Sequence, residues 1–272
     1  MKVLIYFAVH QRLEILKVCL AGIKRLQKHS TAIEYIPFAV CSTKKESTVL
    51  SHHGVQNIIH LNQPLGAKKN AGLRAALLLE WDYLLELGSD DLLHESLMDA
   101  YLPYMQSGVD FFGVRKVMFY DTISKQVAQW ENGFVIGAGR MIKRSVFANV
   151  KNKVRIRILK HFANEHLLGI PGRELMVTHQ TAVDLTGCKM AELIDESPLF
   201  KLWDDEKQSG LDNNSMLTIC SSGYKLTTVP SEYWQVLDIK SAQNINSFEW
   251  FDAIDYDVLK HYPAEAEMIK RL

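Results

Sequence analysis

The chain has 272 residues, enough to bury an ample core in one large α/β domain or two small ones. Its 31 basic and 31 acidic side chains cancel, which excludes a bulk electrostatic pull toward nucleic acid or an anionic membrane and leaves any such preference local. The four cysteines, Cys19, Cys41, Cys188 and Cys220, lie far apart with no CxxC pair, "MKVLIYFAVH" is too short an apolar run for a signal peptide, and nothing approaches the roughly 18 apolar residues of a membrane span, so a soluble cytoplasmic protein with reduced thiols is expected.

Residues Val3 to Val9 are apolar on both faces, the signature of an interior strand of a parallel sheet. Leu13, Leu16, Leu20 and Ile23 then recur at helical spacing, which predicts a helix of about four turns. "IEYIPFAV" and "VQNIIHL" read as two further strands around a helical segment that opens on Ser42 or Thr43 and closes on Gly54. "LGAKKNAGLRAALLLE" reads as a helix and "WDYLLEL" as the fourth strand, so the first ninety residues alternate as a Rossmann-like sheet should. A helix from Leu93 to about Gln106 follows, then "VDFFGVRKVMFY" and "QVAQWENGFVIGAG" as longer antiparallel or edge strands. Residues 151–198 carry short helical patterns broken by glycine and read as an insertion, and helix is assigned to the end of the chain. The expectation is a single domain over 1–272, with a first half to 117, a second half over 118–240 and an extension over 241–272.

Four stretches carry chemistry. "GSDD" puts Asp90 and Asp91 at the carboxyl end of a strand, where ligands of open α/β sheets gather; the pair could hold Mg²⁺ or Mn²⁺ together with substrate phosphate, or one of them could cap the helix expected from Leu92. "LGAKKNAGLRAA" places Lys68, Lys69, Asn70 and Arg74 on the first turns of a helix, where cations oppose the dipole unless an external anion compensates; the alternative is a solvated basic face. "VHQR" sets His10 and Arg12 at the end of the first strand, on the same rim as the aspartates. Asp212 in "GLDNNS" stands at a helix start, either as its N-cap or as a general base.

Taken in chain order, "VHQR", "LGAKKNAGLRAA", "LELGSDDLL", "GAGRMIKRSVF" and "GLDNNSMLTICSSGYKL" resemble the family-2-type glycosyltransferases of the GT-A fold, over roughly residues 1 to 147 and 203 to 230. The resemblance implies an α/β, Rossmann-like fold with a central mixed, mostly parallel sheet and helices on both faces. It implies sugar transfer from a nucleoside diphosphate, UDP being the expected one, to an acceptor hydroxyl with inversion, assisted by Mn²⁺ or Mg²⁺. The family's D-x-D acid pair corresponds to "GSDD" with Gly88 at the first acid, so Asp90 is the implied metal ligand. Asp91, His10, Arg12, Lys69 and Asn70 are implied at the nucleotide-sugar. The family's E-D pair lies eleven residues before a "GYK"-like glycine, and Asp212 stands eleven before Gly223, with Leu211 replacing the Glu. Asp212 is therefore the implied catalytic base, with Asp204 and Asp205 as runners-up, and Lys143–Arg144 echo the family's basic pair.

Arg140 to Lys160 holds eight basic residues and no acid, either a solvated face or a meeting surface for an anionic acceptor such as a phosphate-bearing glycan, a lipid phosphate or DNA. Two further classes remain open. Gly88 and Leu211 are compatible with a degenerate transferase fold that binds a nucleotide or glycan without turnover. A sugar-1-phosphate nucleotidyltransferase would place a glycine-rich loop after the first strand, and neither that loop nor a dinucleotide-binding G-x-G-x-x-G is present there.

Overall fold

The computed structural model describes residues 1–29, 31–149, 153–159, 174–178, 187–189, 191–195, 201–241 and 248–272. The chain forms two compact units, one from Met1–Ala148 with Trp203–Leu272 and one from Asn149–Leu202.

In the larger unit β1 (Lys2–Ala8), α1 (Leu13–His29), β2 (Glu34–Cys41), α2 (Lys44–His52), β3 (Gln56–Ile59), α3 (Leu65–Ala76) and β4 (Tyr83–Gly88) alternate strictly. The period-two pattern of β1 divides its side chains between two faces. Val3, Ile5 and Phe7 share a core with Leu16, Cys19, Leu20 and Ile23 of α1, whose Glu14 in the first turn and Lys28 and His29 in the last suit the helix dipole. Tyr6 points to the opposite face, where its hydroxyl donates to Lys69 O of α3 at 2.5 Å and its ring stacks on Trp203 at 5.9 Å. Helices thus cover both faces. Thr43 caps α2 in a capping box with Glu46.

Past β4 the chain enters β5 (Asp91–Leu93), α4 (Glu95–Gln106), β6 (Phe111–Gly113), β7 (Lys116–Asp121), β8 (Val127–Glu131), β9 (Arg140–Lys143) and the short α5 (Arg144–Asn149). In the second unit β10 (Lys153–Ile158), β11 (Glu174–Thr178) and β12 (Ala191–Asp195) form an antiparallel sheet in the order β11-β10-β12, where short helical patterns are expected from the sequence. The larger unit resumes with α6 (Leu211–Cys220), β13 (Thr227–Thr228), β14 (Val236–Lys240), β15 (Ala253–Ile254) and α7 (Pro263–Lys270).

Its central sheet runs β13-β6-β9-β4-β1-β2-β3, parallel except where β9 lies antiparallel between β6 and β4. A second sheet runs β15-β8-β7-β14-β5. The strand order turns around at β1 and β4, whose register sets Ala8 beside Gly88, so the loops carrying "VHQR" and "SDD" leave the sheet side by side. "VDFFGVRKVMFY" is not one strand: it breaks between Gly113 and Lys116, β6 staying in the central sheet and β7 crossing to the second. Leu92 and Leu93, expected to begin a helix, instead join Asp91 in pairing antiparallel with β14, and α4 starts at Glu95 with the His94 ring capping Ser96 N. Neither Asp90 nor Asp91 is a helix cap. Among the described residues no helix is long and apolar enough to cross a membrane.

Candidate active site

A cleft of about 710 Å³, within the range of small-molecule sites, opens where the two sheets meet at the carboxyl ends of β1 and β4. His10, Arg12, Lys69, Asp90, Asp91 and Asp212 all line it.

Its acidic floor is built by strand register. Asp91 of β5 lies directly opposite Asp238 of β14, and Asp90 precedes them, its carbonyl accepting from Ile239 N at 2.9 Å. Two carboxylates opposed across an antiparallel pair repel each other. Burial, then Asp238 and Asp90, push the Asp91 carboxyl well above the usual carboxylate range, and burial pushes Asp238 up to about 6 against the opposing pull of Lys240. The partners are divided among the acids: Arg12 Nη1 meets Asp90 Oδ2 at 2.8 Å, Lys240 Nζ meets Asp238 Oδ2 at 2.6 Å, and Asp91 Oδ2 accepts from Gly88 N at 2.6 Å. Asp238 Oδ1 is buried with no hydrogen-bond partner among the described residues. A Cβ on Gly88 would lie 2.6 Å from Asp91 Oδ2 and 2.8 Å from Asp90 Oδ1, so both carboxylates turn back over the space that a side chain at 88 would fill.

Arg12 reaches Asp90 because its loop is pinned. Gln11 and Arg12 both have positive φ, 57° and 49°, a conformation uncommon for non-glycine residues. Glu46 of the α2 capping box holds that turn by accepting from Gln11 N at 2.6 Å while also accepting from Ser42 N and Thr43 N. His10 is exposed beside it, its ring pKa lowered by partial burial and by Lys68.

The start of α3 is less open to an anion than the sequence implies. Leu65 N donates to Gln208 Oε1 and Gly66 N to Lys207 O, both at 2.9 Å, and a Cβ on Gly66 would collide with the backbone of Asp204. Lys68 is buried, and its ammonium spends three donors on Val9 O, Ser42 Oγ and Asn62 Oδ1, with a pKa lowered by burial to about 8. Asn70 does not line the cleft: it is fully buried, donating to Trp203 O and Asp205 Oδ1 and accepting from Trp203 N. Lys69 lines the cleft, but its ammonium lies 2.5 Å from Glu86 Oε1 and 4.3 Å from the centre of the Trp203 ring.

Glu86 leads to residues that sequence reasoning missed. Buried on β4, it binds Arg140 of β9 through Nε at 3.1 Å and Nη2 at 2.6 Å, and these cations hold its carboxyl down at about 2 in spite of burial. Arg140 Nη1 donates to Asp212 O at 2.8 Å and Nη2 to Ser215 Oγ at 2.7 Å, tying the start of α6 to the central sheet. The N-cap of α6 is Gly210 at φ 64°, so Asp212 is not the cap but lies in the first turn with its side chain exposed. A Cβ on Gly137 would stand 2.4–2.5 Å from the Asp212 carboxylate atoms; that carboxylate rests on the bare glycine. Asp204 and Asp205, the runners-up, do not line the cleft. A signal for Glu86 and Asp238 existed: each is a lone acid in an apolar strand, in "YLLELG" and "VLDIK".

The basic stretch from 140 is not one charged face. Arg140 is interior, Arg144 donates to Leu77 O and Leu79 O under the Trp81 ring, Lys143 stands 3.8 Å from Asp110, and Arg157 pairs with Glu192 at 2.8 Å. Lys151 and Lys160 lie outside the described residues. Cys19 and Cys41 are core thiols, whereas Cys188 and Cys220 are exposed.

No family model and no curated protein matches the chain. Solved structures do resemble it. They include a mutant Drosophila β1,4-galactosyltransferase 7 in complex with manganese, UDP-Gal and xylobiose (13% identity, TM-score 0.43), over 85% of this chain and 66% of that one. A mannosyltransferase from Pyrobaculum calidifontis in complex with GDP-Man and Mn²⁺ aligns over 98% of this chain and 69% of its own (11% identity, TM-score 0.48). TarS from S. aureus aligns over all of this chain and 43% of its own (13% identity, TM-score 0.48). The chain thus spans less than two thirds of the galactosyltransferase and less than half of TarS.

The donor set also fits the hard divalent ion that the GT-A resemblance implies. Among the described residues no three His, Cys, Asp or Glu side chains form a ready metal cage. Mg²⁺ and Mn²⁺ in phosphate sites need none, taking one or two carboxylates and completing their shell with phosphate oxygens and water. The orphaned Asp238 Oδ1 and the opposed Asp91 carboxylate are oxygen donors that a dication would relieve.

Proposed function

We propose that the protein is a glycosyltransferase that moves a sugar from a nucleoside diphosphate to an acceptor hydroxyl with inversion, and that UDP is the donor nucleotide. One observation carries the reading: a single cleft joins a carboxylate–cation floor, suited to a diphosphate and its metal, to an exposed carboxylate lying over Gly137.

Asp90, Asp91 and Asp238 are the residues that would hold Mn²⁺ or Mg²⁺, which when bound supplies Lewis-acid neutralisation of the diphosphate. Arg12 and Lys240, already anchored on two of those acids, add positive charge where the leaving group gathers its negative charge. Asp212 accepts the proton of the acceptor hydroxyl as its oxygen forms a bond to the anomeric carbon. The bond from that carbon to the diphosphate oxygen breaks, and the electron pair leaves with the diphosphate. Attack on the face opposite the leaving group inverts the centre. Lys69, Glu86 and Arg140 fix the geometry: the ion pair holds the backbone of Asp212 and so the position of the base.

The test is thermal unfolding with nucleoside diphosphates and their sugars, with and without Mn²⁺. A ligand at a hundred times its Kd adds about 2.7 kcal/mol, a shift of several degrees for a chain of this size. A Mn²⁺-dependent shift with one nucleotide, lost in Asp90→Ala and kept in Asp212→Asn, is the expected result; no shift with any nucleotide overturns the reading. Gly88 and Leu211 favour one rival, a binding module without turnover. Donor hydrolysis no faster than in Asp212→Asn would decide for it.

A further inference from the structure

Resting on that reading, we infer that the acceptor is an uncharged sugar ring of a glycan, stacked on an aromatic wall formed by Trp130, Trp250 and Phe251. Strand register places this wall. Asp91, Asp238 and Phe119 are successive cross-strand partners on β5, β14 and β7, so they share one face of the second sheet. Phe119 is paired in turn with Ala128 of β8, and Trp130, two residues on, falls on that same face opposite Val117. Trp130 therefore stands two strands from Asp238, about 10 Å across the sheet. The acids lie toward one edge of the cleft face and the aromatics toward the other, and Trp250 and Phe251 lead into the edge strand β15.

Phe119, Trp130 and Phe251 form a ring cluster, and Trp250 lines the same cleft. Phe251 packs on Phe119 with centroids 4.2 Å apart and against Trp130 at 6.2 Å, while Trp130 and Phe119 are 6.4 Å apart. Trp81 and Trp203 are buried at 3% and 1% exposure, yet Trp130 and Trp250, both lining the cleft, remain 39% and 69% exposed. Two exposed indoles in one cleft leave a large apolar area in water that a ligand would cover.

The chemistry of the wall selects the occupant. Beside the aromatics, this part of the lining is Val117, Asn132, Val135 and Ile136, and the Lys240 ammonium, 4.7 Å from the centre of the Phe119 ring, is already paired with Asp238 at 2.6 Å. The C–H face of a pyranose carries partial positive charge that suits the negative face of an aromatic ring, and its hydroxyls need neutral donors and acceptors, which Asn132 and Asn213 bring to the lining of the cleft. A phosphate-bearing acceptor would need a cation not already paired, but the Lys240 ammonium beside the aromatics is held by Asp238, and Arg140 and Arg144 are turned inward.

The experiment reads acrylamide quenching of tryptophan fluorescence with cellobiose, lactose, maltose and chitobiose as neutral probes, and glucose 6-phosphate and uridine as competitors. The proposal expects at least one neutral disaccharide to protect the exposed indoles. Protection falls about tenfold in affinity in Trp250→Ala and Trp130→Ala and is retained in Trp130→Phe. Trp250 is largely solvent-facing, so its variant keeps the fold, and the nucleotide-dependent thermal shift stays unchanged in all three variants. No protection by any neutral disaccharide, or protection by glucose 6-phosphate or uridine alone, overturns the proposal while that shift persists. Absence of the shift in the unmodified protein would instead overturn the donor reading.

Discussion

Replacing Arg140 with Met tests whether the buried Glu86–Arg140 pair holds the start of α6 to the central sheet. Arg140 is wholly buried and makes four hydrogen bonds, two to Glu86, one to Asp212 O and one to Ser215 Oγ. Methionine fills much of the volume and makes none of them, leaving Glu86 with Lys69 alone. Breaking a buried pair from one side costs about 3–5 kcal/mol, and at about 2 °C per kcal/mol for a long chain the melting temperature should fall by about 6–10 °C. The acid limb carries a second signature. The folded pKa of Glu86, about 2, lies below its unfolded value, so its stabilisation is complete above about pH 4.5 and is lost as pH falls toward 2. Calorimetry from pH 7 to 3 should therefore show the gap between wild type and variant narrowing as acid is added. The double variant Glu86→Gln, Arg140→Met removes the stranded charge and should recover part of the loss. A drop below about 1 kcal/mol, as for a surface pair, would refute the reasoning.

Gly137→Ala should change stability by no more than about 1 kcal/mol, because Asp212 can swing aside, yet lower kcat by about 10²–10⁴ through the displaced base; steady-state kinetics beside a melting curve checks both. Asp91→Asn should raise stability at pH 8 by an amount that shrinks as pH falls. The folded pKa of Asp91 is raised, so its cost to stability is full above that folded pKa, declines as pH falls, and is gone only below the unfolded value of about 3.8. Mn²⁺ affinity measured by calorimetry should rise through about pH 6 as Asp238 gives up its proton, by up to about tenfold per pH unit for one proton released; a flat profile would remove Asp238 from the metal set. Gly88→Asp, which restores the acid of the family motif, should weaken Mn²⁺ binding, since its Cβ alone intrudes on Asp90 and Asp91.

The alternation of β1 to β4 was legible because interior parallel strands and amphipathic helices leave periods that survive without tertiary context. The second sheet was not, since its strands are recruited from distant segments: residues 91–93 carry apolar content that suits a helix start equally well, and only pairing with Val236–Asp238 makes them a strand. The same distinction runs through the site. His10, Arg12, Asp90 and Asp91 were legible because the ends of neighbouring parallel strands must emerge together. Asn70 was misplaced because its role depends on Trp203 and Asp205, over 130 residues away. Arg140 looked like part of a basic surface because charge runs carry no sign of burial; its partner Glu86 belongs to a different element. The missing family acid is the sharpest case. In one dimension Gly88 is a loss, but across the sheet Asp238 stands opposite Asp91 with an oxygen that nothing in the described residues satisfies. The bare glycine is what lets Asp90 and Asp91 fold back over the strand end. Register thus brings a third carboxylate, from β14, to the strand end where the sequence has only Gly88, and that placement can be read from the pairing of strands but not from the order of residues.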